Sequence, residues 1–572
     1  MKKFIIPVLA VLALASCTAK FDEMNKPTTG LTAESAQPMY IFGRTLYNGS
    51  SNDHQRNFNL NDDMYAHYFA QGLGWTDFWR YNAGWGDIYW RDFYTDRLQE
   101  YWLIDEITEG QDMYTCVRAC NDIWNVVLWL RVIDRQGDAP YFDEEGNFAA
   151  GKGTTLPYSK VEDIYADLIK RLQNDVTLLG TTSGQVNFGA YDFLFNNDWN
   201  QWKKFANTLI LRLSMRIGDK NSFSAAVNGA FSSPSDYARI SCDTGVWGDY
   251  YDRTFNDWSN TFTNCDFMSV LNGTNPGYTT GVVDPRRVFW FIQAYKVEKK
   301  VINGEEKEVM VFYDNGWDGY PFDYTSDTEA TVVAAHGGNK TFARLNMYQK
   351  IGFFHYSKAG NENLSWCYGS YSETLFLKAE AALRGWISGD PETLWKDAIK
   401  ASMQEIALFV TRSGGKVYGS TNTEKTPLVE KFADYAAYES EADYKAAQDA
   451  YIAALPAFGA NKEMQLRSIM IQKWIALYPN SVEAWAEQRR TGYPDYFSGV
   501  LTYPAVSASS GVSVGNIIQR IPYPQNEYNT NAVNIPAAFA DYNGKNMEKG
   551  ISWSLKGENG VQKANEAPVN HF

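Results

Sequence analysis

Apolar residues recur at spacings of three and four over long stretches of the chain, and this periodicity limits the fold more than any other feature. One stripe consists of Val161, Ile164, Tyr165, Leu168, Ile169, Leu172, Val176 and Leu179, and the next of Trp199, Trp202, Phe205, Leu209, Ile210, Leu213 and Ile217. Residues at these spacings share one face of an α-helix, so both stripes are predicted to pack into a core. Ser159 and Glu162 have the spacing of a capping box at the start of the first helix.

Further helix pairs follow along the chain. One pair is predicted over 371–386 and 391–410, with Gly389-Asp390-Pro391 as the break between them. Another is predicted over 463–478 and 481–490, split by Pro479 and capped by Asn480 with Glu483. Earlier helices are expected over 85–107 and 114–135. The prediction is a mainly α fold, a tetratricopeptide-like scaffold of helix pairs in an α-α superhelix, in which the spacing is far from a regular repeat of about 34 residues.

The helical pattern fades between Asp219 and Tyr368, where Asn, Asp, Gly and aromatic residues are concentrated. This region is predicted to be an irregular, loop-rich lobe with short hairpins. One hairpin is expected from Lys296 to Val311, with its turn at Asn303-Gly304. Long loops in a compact protein are more often functional than idle.

The first residues have the pattern of a secretory signal: Lys2 and Lys3, an apolar run, and small residues before Cys17. The run is shorter than the roughly 20 apolar residues that span a bilayer, and no later stretch reaches half that length. The letters before and at Cys17 resemble a bacterial lipobox, which predicts lipidation of Cys17; the alternative is an ordinary cleavage site and a soluble periplasmic protein. Because Thr18 follows the cysteine, the outer membrane is expected. The predicted division is a signal peptide over 1–16, a lipidated tether over 17–38 and a single domain over 39–572.

Charge and cysteine content exclude some classes of function. The net charge of −15 and the lack of a basic cluster argue against binding to nucleic acid. Cys116 and Cys120 lie at i and i+4 of a predicted helix, which is half of a zinc site at most, so no metal and no cofactor is predicted. Cys242 with Cys265 is the favoured disulfide pair, if one forms.

Motifs for catalysis are weak. Gly511-Val512-Ser513-Val514-Gly515 matches a nucleophile elbow by letter, but its flanks have loop composition and His571 is the only later histidine. The stretch from Gly146 to Gly153 lacks the hydroxyl of a phosphate-binding loop, and a turn between two extended segments is preferred. A carboxylate pair of the glycoside hydrolase type remains open, because carboxylates are abundant.

Aromatic residues make up 15% of the chain, with 19 Trp and 37 Tyr. Those in loops, with amide or carboxylate neighbours, suit a surface that binds glycan chains, because sugar C–H faces stack on aromatic rings and sugar hydroxyls need polar partners. The competing interpretation of each residue is a half-buried ring that covers the core. The candidate ligand residues are Trp75, Trp79, Tyr81, Asn82, Trp247, Tyr250, Trp258, Trp317 and Tyr320.

Six stretches, in one order, resemble the SusD/RagB family of outer-membrane nutrient-binding lipoproteins. They are Gly137-Asp138-Ala139-Pro140-Tyr141; the helix from Trp199 to Asp219 with Trp202, Phe205, Asn207, Leu211, Arg212 and Arg216; Asp284-Pro285-Arg286; Leu377 to Trp386; Trp485 to Pro494; and Arg520 to Asn531. The resemblance extends from the tether to near Phe539.

The resemblance implies a non-catalytic protein that faces the cell exterior as a lid on a SusC-like TonB-dependent transporter. Its ligand would be an oligosaccharide or, in some members, a peptide. Arg489 and Arg490 are expected to fix the last helix rather than to touch ligand, and the aromatic candidates are not carried over from the family. The alternatives are a peptide-binding lid, a surface glycoside hydrolase, and a purely structural subunit of the transporter complex.

Overall fold

The structure is a computed structural model that describes residues 37–49, 55–71, 86–153, 155–180, 183–242, 261–293, 295–312, 316–321, 344–345, 364–412, 416–418, 436–504, 512–540 and 544–572. Cys17 and the predicted leader lie outside these ranges, as does most of the predicted tether. The division into 1–16, 17–38 and 39–572 therefore stays a prediction.

The described helices are α1 Pro38–Gly49, α2 Asp62–Tyr65, α3 Ile88–Asp92, α4 Leu98–Thr108, α5 Thr115–Gln136, α6 Val161–Leu178, α7 Trp199–Ile217, α8 Lys220–Ala226, α9 Cys265–Leu271, α10 Arg287–Trp290, α11 Tyr371–Leu383, α12 Pro391–Arg412, α13 Glu441–Ala453, α14 Lys462–Leu477, α15 Ser481–Thr491 and α16 Gln525–Thr530. π-Helical turns occur at Gln55–Asn59 and Phe93–Arg97, and 3-10 turns at Asp112–Tyr114, Gly189–Tyr191, Ala537–Phe539 and Gly544–Glu548. Among the residues in these ranges, no helix is both long and apolar enough to cross a membrane.

The strands are β1 Phe69–Gln71, β2 Ala139–Pro140, β3 Tyr158–Ser159, β4 Tyr237–Cys242, β5 Thr261–Thr263, β6 Phe291–Ile292, β7 Tyr295–Ile302, β8 Glu305–Phe312, β9 Arg344–Leu345, β10 Leu364–Ser370, β11 Lys416–Tyr418 and β12 Ala436–Tyr438. In the described part of the chain they form two-stranded ladders: β1 with β5, β2 with β3, β4 with β10, β6 with β9, β7 with β8, and β11 with β12. The β11–β12 ladder is parallel and the others are antiparallel. The mainly α prediction is confirmed.

The predicted helix pairs are present and form the scaffold. α6 packs between α5 and α7, α11 packs against α12 and α14, and α14 packs against α15. The two apolar stripes supply the buried faces of α6 and α7. This arrangement confirms the tetratricopeptide-like scaffold. The helix predicted over 85–107 occurs instead as α3 and α4, joined by the π-helical turn at Phe93–Arg97.

Two turn predictions are confirmed by backbone geometry. Pro391 begins α12, and the Asp390 carboxylate accepts from the Thr393 N–H at 2.9 Å and from its hydroxyl at 2.7 Å. β7 and β8 form the expected hairpin, with φ of 54° at Asn303 and 84° at Gly304. Positive φ at both central residues is the signature of a type I′ turn, which Asn-Gly adopts at little cost.

The capping box predicted for α6 is wrong. Lys160 is the N-cap, and the N–H of Val161 is bound by Asp138 Oδ1 at 3.0 Å. The Ser159 hydroxyl accepts instead from the N–H of Phe142, also at 3.0 Å. Asp138, which lies 23 residues before Val161 in sequence, thus satisfies an amide that the helix leaves unpaired.

The cap predicted for α15 is also wrong. Asn480 is the N-cap residue, but its side chain caps none of the described amides of the helix. Glu483 turns into the core, where Arg216 of α7 donates to it at 2.5 Å. The need to pair a buried arginine has overridden the local capping preference.

A buried ion-pair network connects the scaffold helices. Arg216 also donates to Asp134 of α5 at 2.8 Å, and Arg212 makes two 2.7 Å hydrogen bonds to Glu373 of α11. Lys473 of α14 pairs with Glu487 of α15 at 2.8 Å. Because a buried charge is stable only when it is paired and hydrogen-bonded, this network fixes how the helices pack.

The two arginines near the end of α15 contact the scaffold, as expected. Arg490 pairs with Glu380 and Glu487. Arg489 is buried, donates to the Gln519 carbonyl at 2.9 Å and lies over the Trp485 ring at 3.6 Å. Burial lowers the pKa of Arg489 to about 9. Both side chains therefore hold α15 in place.

Candidate ligand-binding site

The β1–β5 ribbon, Phe69–Gln71 paired with Thr261–Thr263, connects the chain segments that carry most of the predicted ligand residues. At its end Gln71 is paired with Thr261. Gln71 is followed by the segment 72–85, and Thr261 is preceded by the segment 243–260. The candidates on these two segments lie outside the described residues and stay predictions: Trp75, Trp79, Tyr81, Asn82, Trp247, Tyr250 and Trp258.

A third segment joins the same ribbon at Tyr320. Its N–H donates to the Thr263 carbonyl at 2.7 Å, and its carbonyl accepts from the N–H of Cys265 at 3.1 Å. The Tyr320 ring stacks on Phe262 with centroids 4.6 Å apart and an interplanar angle of 11°. The side chain is only 4% exposed. The Tyr320 ring is therefore buried against the ribbon and stabilises it.

Trp317 is half-buried and is held from two sides. The Arg287 guanidinium lies 3.7 Å from the centre of the indole ring system, a close cation–π contact. Asn272 donates to the Trp317 carbonyl at 3.0 Å and accepts from Arg287 at 2.6 Å. Burial lowers the pKa of Arg287 to about 10. A ligand that stacks on this indole must approach the ring face opposite Arg287.

Sequence reasoning did not identify Arg287 and Asn272 as parts of the site. Arg287 directly follows the Asp284-Pro285-Arg286 motif, and Arg286 is buried on Asp284 and Gln472. The motif therefore anchors the short helix α10 that carries Arg287. This motif was the only sequence signal near Arg287, and it predicted a scaffold role and no contact with Trp317.

A buried histidine cluster underlies the ribbon and was also missed. His67 lies two residues before β1 with φ of 58°; its Nδ1 is 2.9 Å from Asp266 Oδ2 and its Nε2 is 2.8 Å from the Tyr496 hydroxyl. Asp266 further accepts from the N–H and hydroxyl of Thr502 at 2.9 and 2.8 Å. Asp266 and Tyr496 lie 199 and 429 residues from His67 in sequence, so no local sequence pattern could predict the cluster. The cluster fixes β1 to α9 and to the chain after α15.

The weak catalytic motifs are accounted for by other contacts. The Ser513 hydroxyl donates to Glu548 at 2.9 Å, and His571 Nδ1 is 3.0 Å from Glu463. Phe142 and Phe148 form an antiparallel bridge, so the glycine-rich stretch begins in a turn, as preferred. Cys116 and Cys120 are buried in α5, where burial raises the pKa of both thiols and disfavours the thiolate that a metal would bind.

Two further predictions concern a disulfide and metal binding. The side chain of Cys242 lies outside the described residues, so the Cys242–Cys265 pair stays a prediction. Across the described ranges, no group of three or more His, Cys, Asp or Glu side chains is arranged to hold a metal ion.

Sequence comparison identifies one family. The model described as SusD-like, Susd and RagB outer membrane lipoprotein, matches residues 23–554. A comparison with curated proteins finds no match.

Solved structures share the fold. One, described as a chitin-binding protein, superposes with a TM-score of 0.65 at 22% identity and covers 91% of this chain and 100% of its own. A chitin-binding SusD homolog from Flavobacterium johnsoniae gives a TM-score of 0.64 at 20% identity, over 94% of this chain and 100% of that one. A SusD-like protein from Bacteroides thetaiotaomicron gives 0.62 at 20% identity, over 91% and 99%.

Proposed function

The chain belongs to the SusD-like family of outer-membrane lipoproteins, and we propose that it captures oligosaccharide at the cell surface and delivers it to a SusC-like TonB-dependent transporter. The protein is an outer-membrane lipoprotein of a family whose members bind ligand without catalysis. We propose further that the lipid is attached at Cys17 and that the body faces the exterior. The glycan, the transporter and the site of lipid attachment are the parts of this proposal that need experiment.

The observation that carries the proposal is the meeting of three chain segments at the β1–β5 ribbon. Trp75 follows Gln71 by four residues, Trp258 precedes Thr261 by three, and Trp317 precedes Tyr320, which is hydrogen-bonded to Thr263, by three. Because neighbouring Cα atoms are about 3.8 Å apart, these short connections limit how far Trp75 and Trp258 can lie from this end of the ribbon. Several aromatic residues supplied by separate segments suit a ligand that has several stacking faces.

The chemistry of Trp317 supports a sugar ligand. Its indole is held by Arg287 on one face, and a pre-positioned ring binds with less loss of conformational entropy than a mobile one. Two of the similar structures are described as chitin-binding. An N-acetylated oligosaccharide is therefore the first ligand to test, alongside plant, host and microbial glycans.

The test is a glycan-array screen of the lipid-free chain from Thr18 onward, followed by calorimetry on each oligosaccharide that binds. We expect saturable binding in the micromolar range or weaker, about −8 kcal/mol or less in magnitude. Alanine at Trp75, Trp79, Trp247 and Trp317 together is expected to reduce the affinity at least tenfold.

The control variant is Phe497→Ala, because Phe497 is a large exposed aromatic residue outside the ribbon, 59% exposed. It should bind as the unmodified protein does. Unchanged oligosaccharide binding by the four-alanine variant would contradict the proposed site. No binding to any glycan on the array, together with binding to a peptide library, would indicate that the ligand is a peptide and not an oligosaccharide.

The anchor and the transporter are tested separately. Cys17→Ser should move the protein out of the outer-membrane fraction, whereas Thr18→Ser should leave it there. Co-expression with a SusC-like transporter should allow the two chains to be purified together in detergent. Separate elution of the two chains would contradict the proposed partnership without affecting the ligand site.

A further inference from the structure

A cleft of about 540 Å³ lies between α12 and α13, on elements separate from the β1–β5 ribbon. α12 lines it with Gln404 and Leu408, which are four residues apart and so share a helix face. α13 lines the opposite side with Gln448 among others, and Tyr418 of β11 forms part of the wall. The volume falls in the range of roughly 300–1,000 Å³ that is usual for small-molecule sites.

The cleft exposes apolar surface on a rigid support. Tyr418 is 38% exposed and Leu408 is 37% exposed. Behind Tyr418 lies Tyr444, with ring centroids 6.5 Å apart. Tyr444 is buried, and its hydroxyl donates to the Met403 carbonyl of α12 at 2.6 Å. The exposed tyrosine ring is thus backed by a residue that ties α13 to α12.

The polar groups of the cleft are available to a ligand. Within the described ranges, the side chains of Gln404, Lys445 and Asp449 have no hydrogen-bond or ion-pair partner. The charged residues of the lining are Lys400, Lys445, Glu441 and Asp449, so the two signs balance. This balance contrasts with the net charge of −15 of the whole chain and favours a neutral ligand over an ionic one.

We infer that this cleft is a second saccharide site, which binds a short neutral oligosaccharide by stacking on Tyr418 and by hydrogen bonds from the amides and charged groups around it. The inference rests on the proposed function and extends it, because a second site would hold another part of a glycan chain or a second chain. An apolar ring beside several unpaired donors and acceptors matches the alternating C–H faces and hydroxyls of a sugar.

The test is calorimetry of the chain from Thr18 onward with a panel of neutral trisaccharides: tri-N-acetylchitotriose, cellotriose, maltotriose, mannotriose and xylotriose. We expect two ligand molecules per protein for at least one of them. Tyr418→Ala and Gln404→Ala should each weaken one site at least tenfold and leave the other unchanged. Trp317→Ala should weaken the other site and leave the cleft site unchanged.

The matched control is Tyr191→Ala, because Tyr191 is 37% exposed, almost as Tyr418 is, but lies away from the cleft. It should retain both sites, and equal thermal midpoints of all variants should show that they are folded. If the unmodified protein has a single site, and that site is lost in Trp317→Ala and retained in Tyr418→Ala, this inference is overturned and the proposed function stays intact. No binding of any trisaccharide by the unmodified protein also overturns this inference, whereas the proposed function is decided by the glycan array.

Discussion

Arg490 donates to both carboxylate oxygens of Glu380, at 2.8 and 2.7 Å, although 110 residues separate them in sequence. The pair joins α15 to α11, and both side chains are buried. A bidentate arginine–carboxylate contact fixes orientation as well as distance. The relative position of these two helices is therefore set by a charged contact as well as by apolar packing.

Removal of both members of this pair should be less damaging than the two single removals added together. Glu380→Leu leaves Arg490 with Glu487 alone in the interior, and we expect the free energy of unfolding to fall by about 3–5 kcal/mol. Glu380→Leu with Arg490→Met should cost less than the sum of the single changes. Urea denaturation of the four proteins measures the coupling. As control, Glu392→Gln removes an exposed partner of Lys396 and should cost less than about 1 kcal/mol; an equally small loss in Glu380→Leu would contradict this prediction.

Acid should unfold the protein partly through the same carboxylate. Burial alone would raise the pKa of Glu380, but Arg490 and Arg384 outweigh it and lower the pKa to about 2, from an ordinary value of 4.5. The folded state therefore binds this proton more weakly than the unfolded state. The stabilisation is present above pH 4.5 and is lost as the pH falls toward 2, with a size on the order of 3 kcal/mol.

Thermal unfolding followed from about pH 6 to about pH 2, a range of about four pH units that contains this window, measures the effect. The Glu380→Gln variant, which has no carboxylate to titrate, should be less stable at neutral pH and should lose less stability on acidification. An acid dependence identical in the two proteins would show that Glu380 does not contribute to it.

Helix positions could be predicted from the sequence because they depend on local periodicity. The stripe from Val161 to Leu172 marks the buried face of α6, and Asn303-Gly304 marks the hairpin turn. Helix starts could not be predicted as well. The spacing of Ser159 and Glu162 satisfies the local rule, but Asp138 comes from outside the helix and takes the amide. A contact from elsewhere in the fold has no local signature.

The Asp138 cap allows a direct test of whether a residue outside α6 stabilises the start of that helix. Asp138→Ala should lower the free energy of unfolding by about 0.5–2 kcal/mol, because the Val161 N–H loses its acceptor at the start of α6. Asp138→Asn keeps an oxygen acceptor at the same place and should lose less. Denaturant unfolding of both variants decides the matter, and the cap assignment is wrong if Asp138→Ala is as stable as the unmodified protein.

The candidate site was predictable only in part, for the same reason. The loop aromatics were identified by residue type and composition, but Trp317 depends on Arg287 and Asn272, and the ribbon depends on His67 with Asp266. These partners are brought together by folding from distant parts of the chain. Residue type alone also gave no means of separating half-buried Trp317 from Tyr320, whose ring is covered by Phe262.

Gly319 links the stability of the ribbon to the ligand site. A Cβ atom built at Gly319 would lie 2.5 Å from the Asn264 carbonyl oxygen and 2.5 Å from the Cys265 Cα, and neither backbone atom can move aside cheaply. Gly319→Ala should therefore destabilise the protein by about 1–3 kcal/mol and displace the segment that carries Trp317, weakening oligosaccharide binding several-fold. Gly153→Ala is the matched control, because a Cβ there has no heavy atom within 4 Å. Calorimetry at a temperature where both variants are folded separates the effect on stability from the effect on oligosaccharide affinity. Lower affinity in Gly319→Ala alone would show that the ribbon contributes to ligand capture. Equal affinity with reduced stability would show that the close approach at Gly319 matters for folding only.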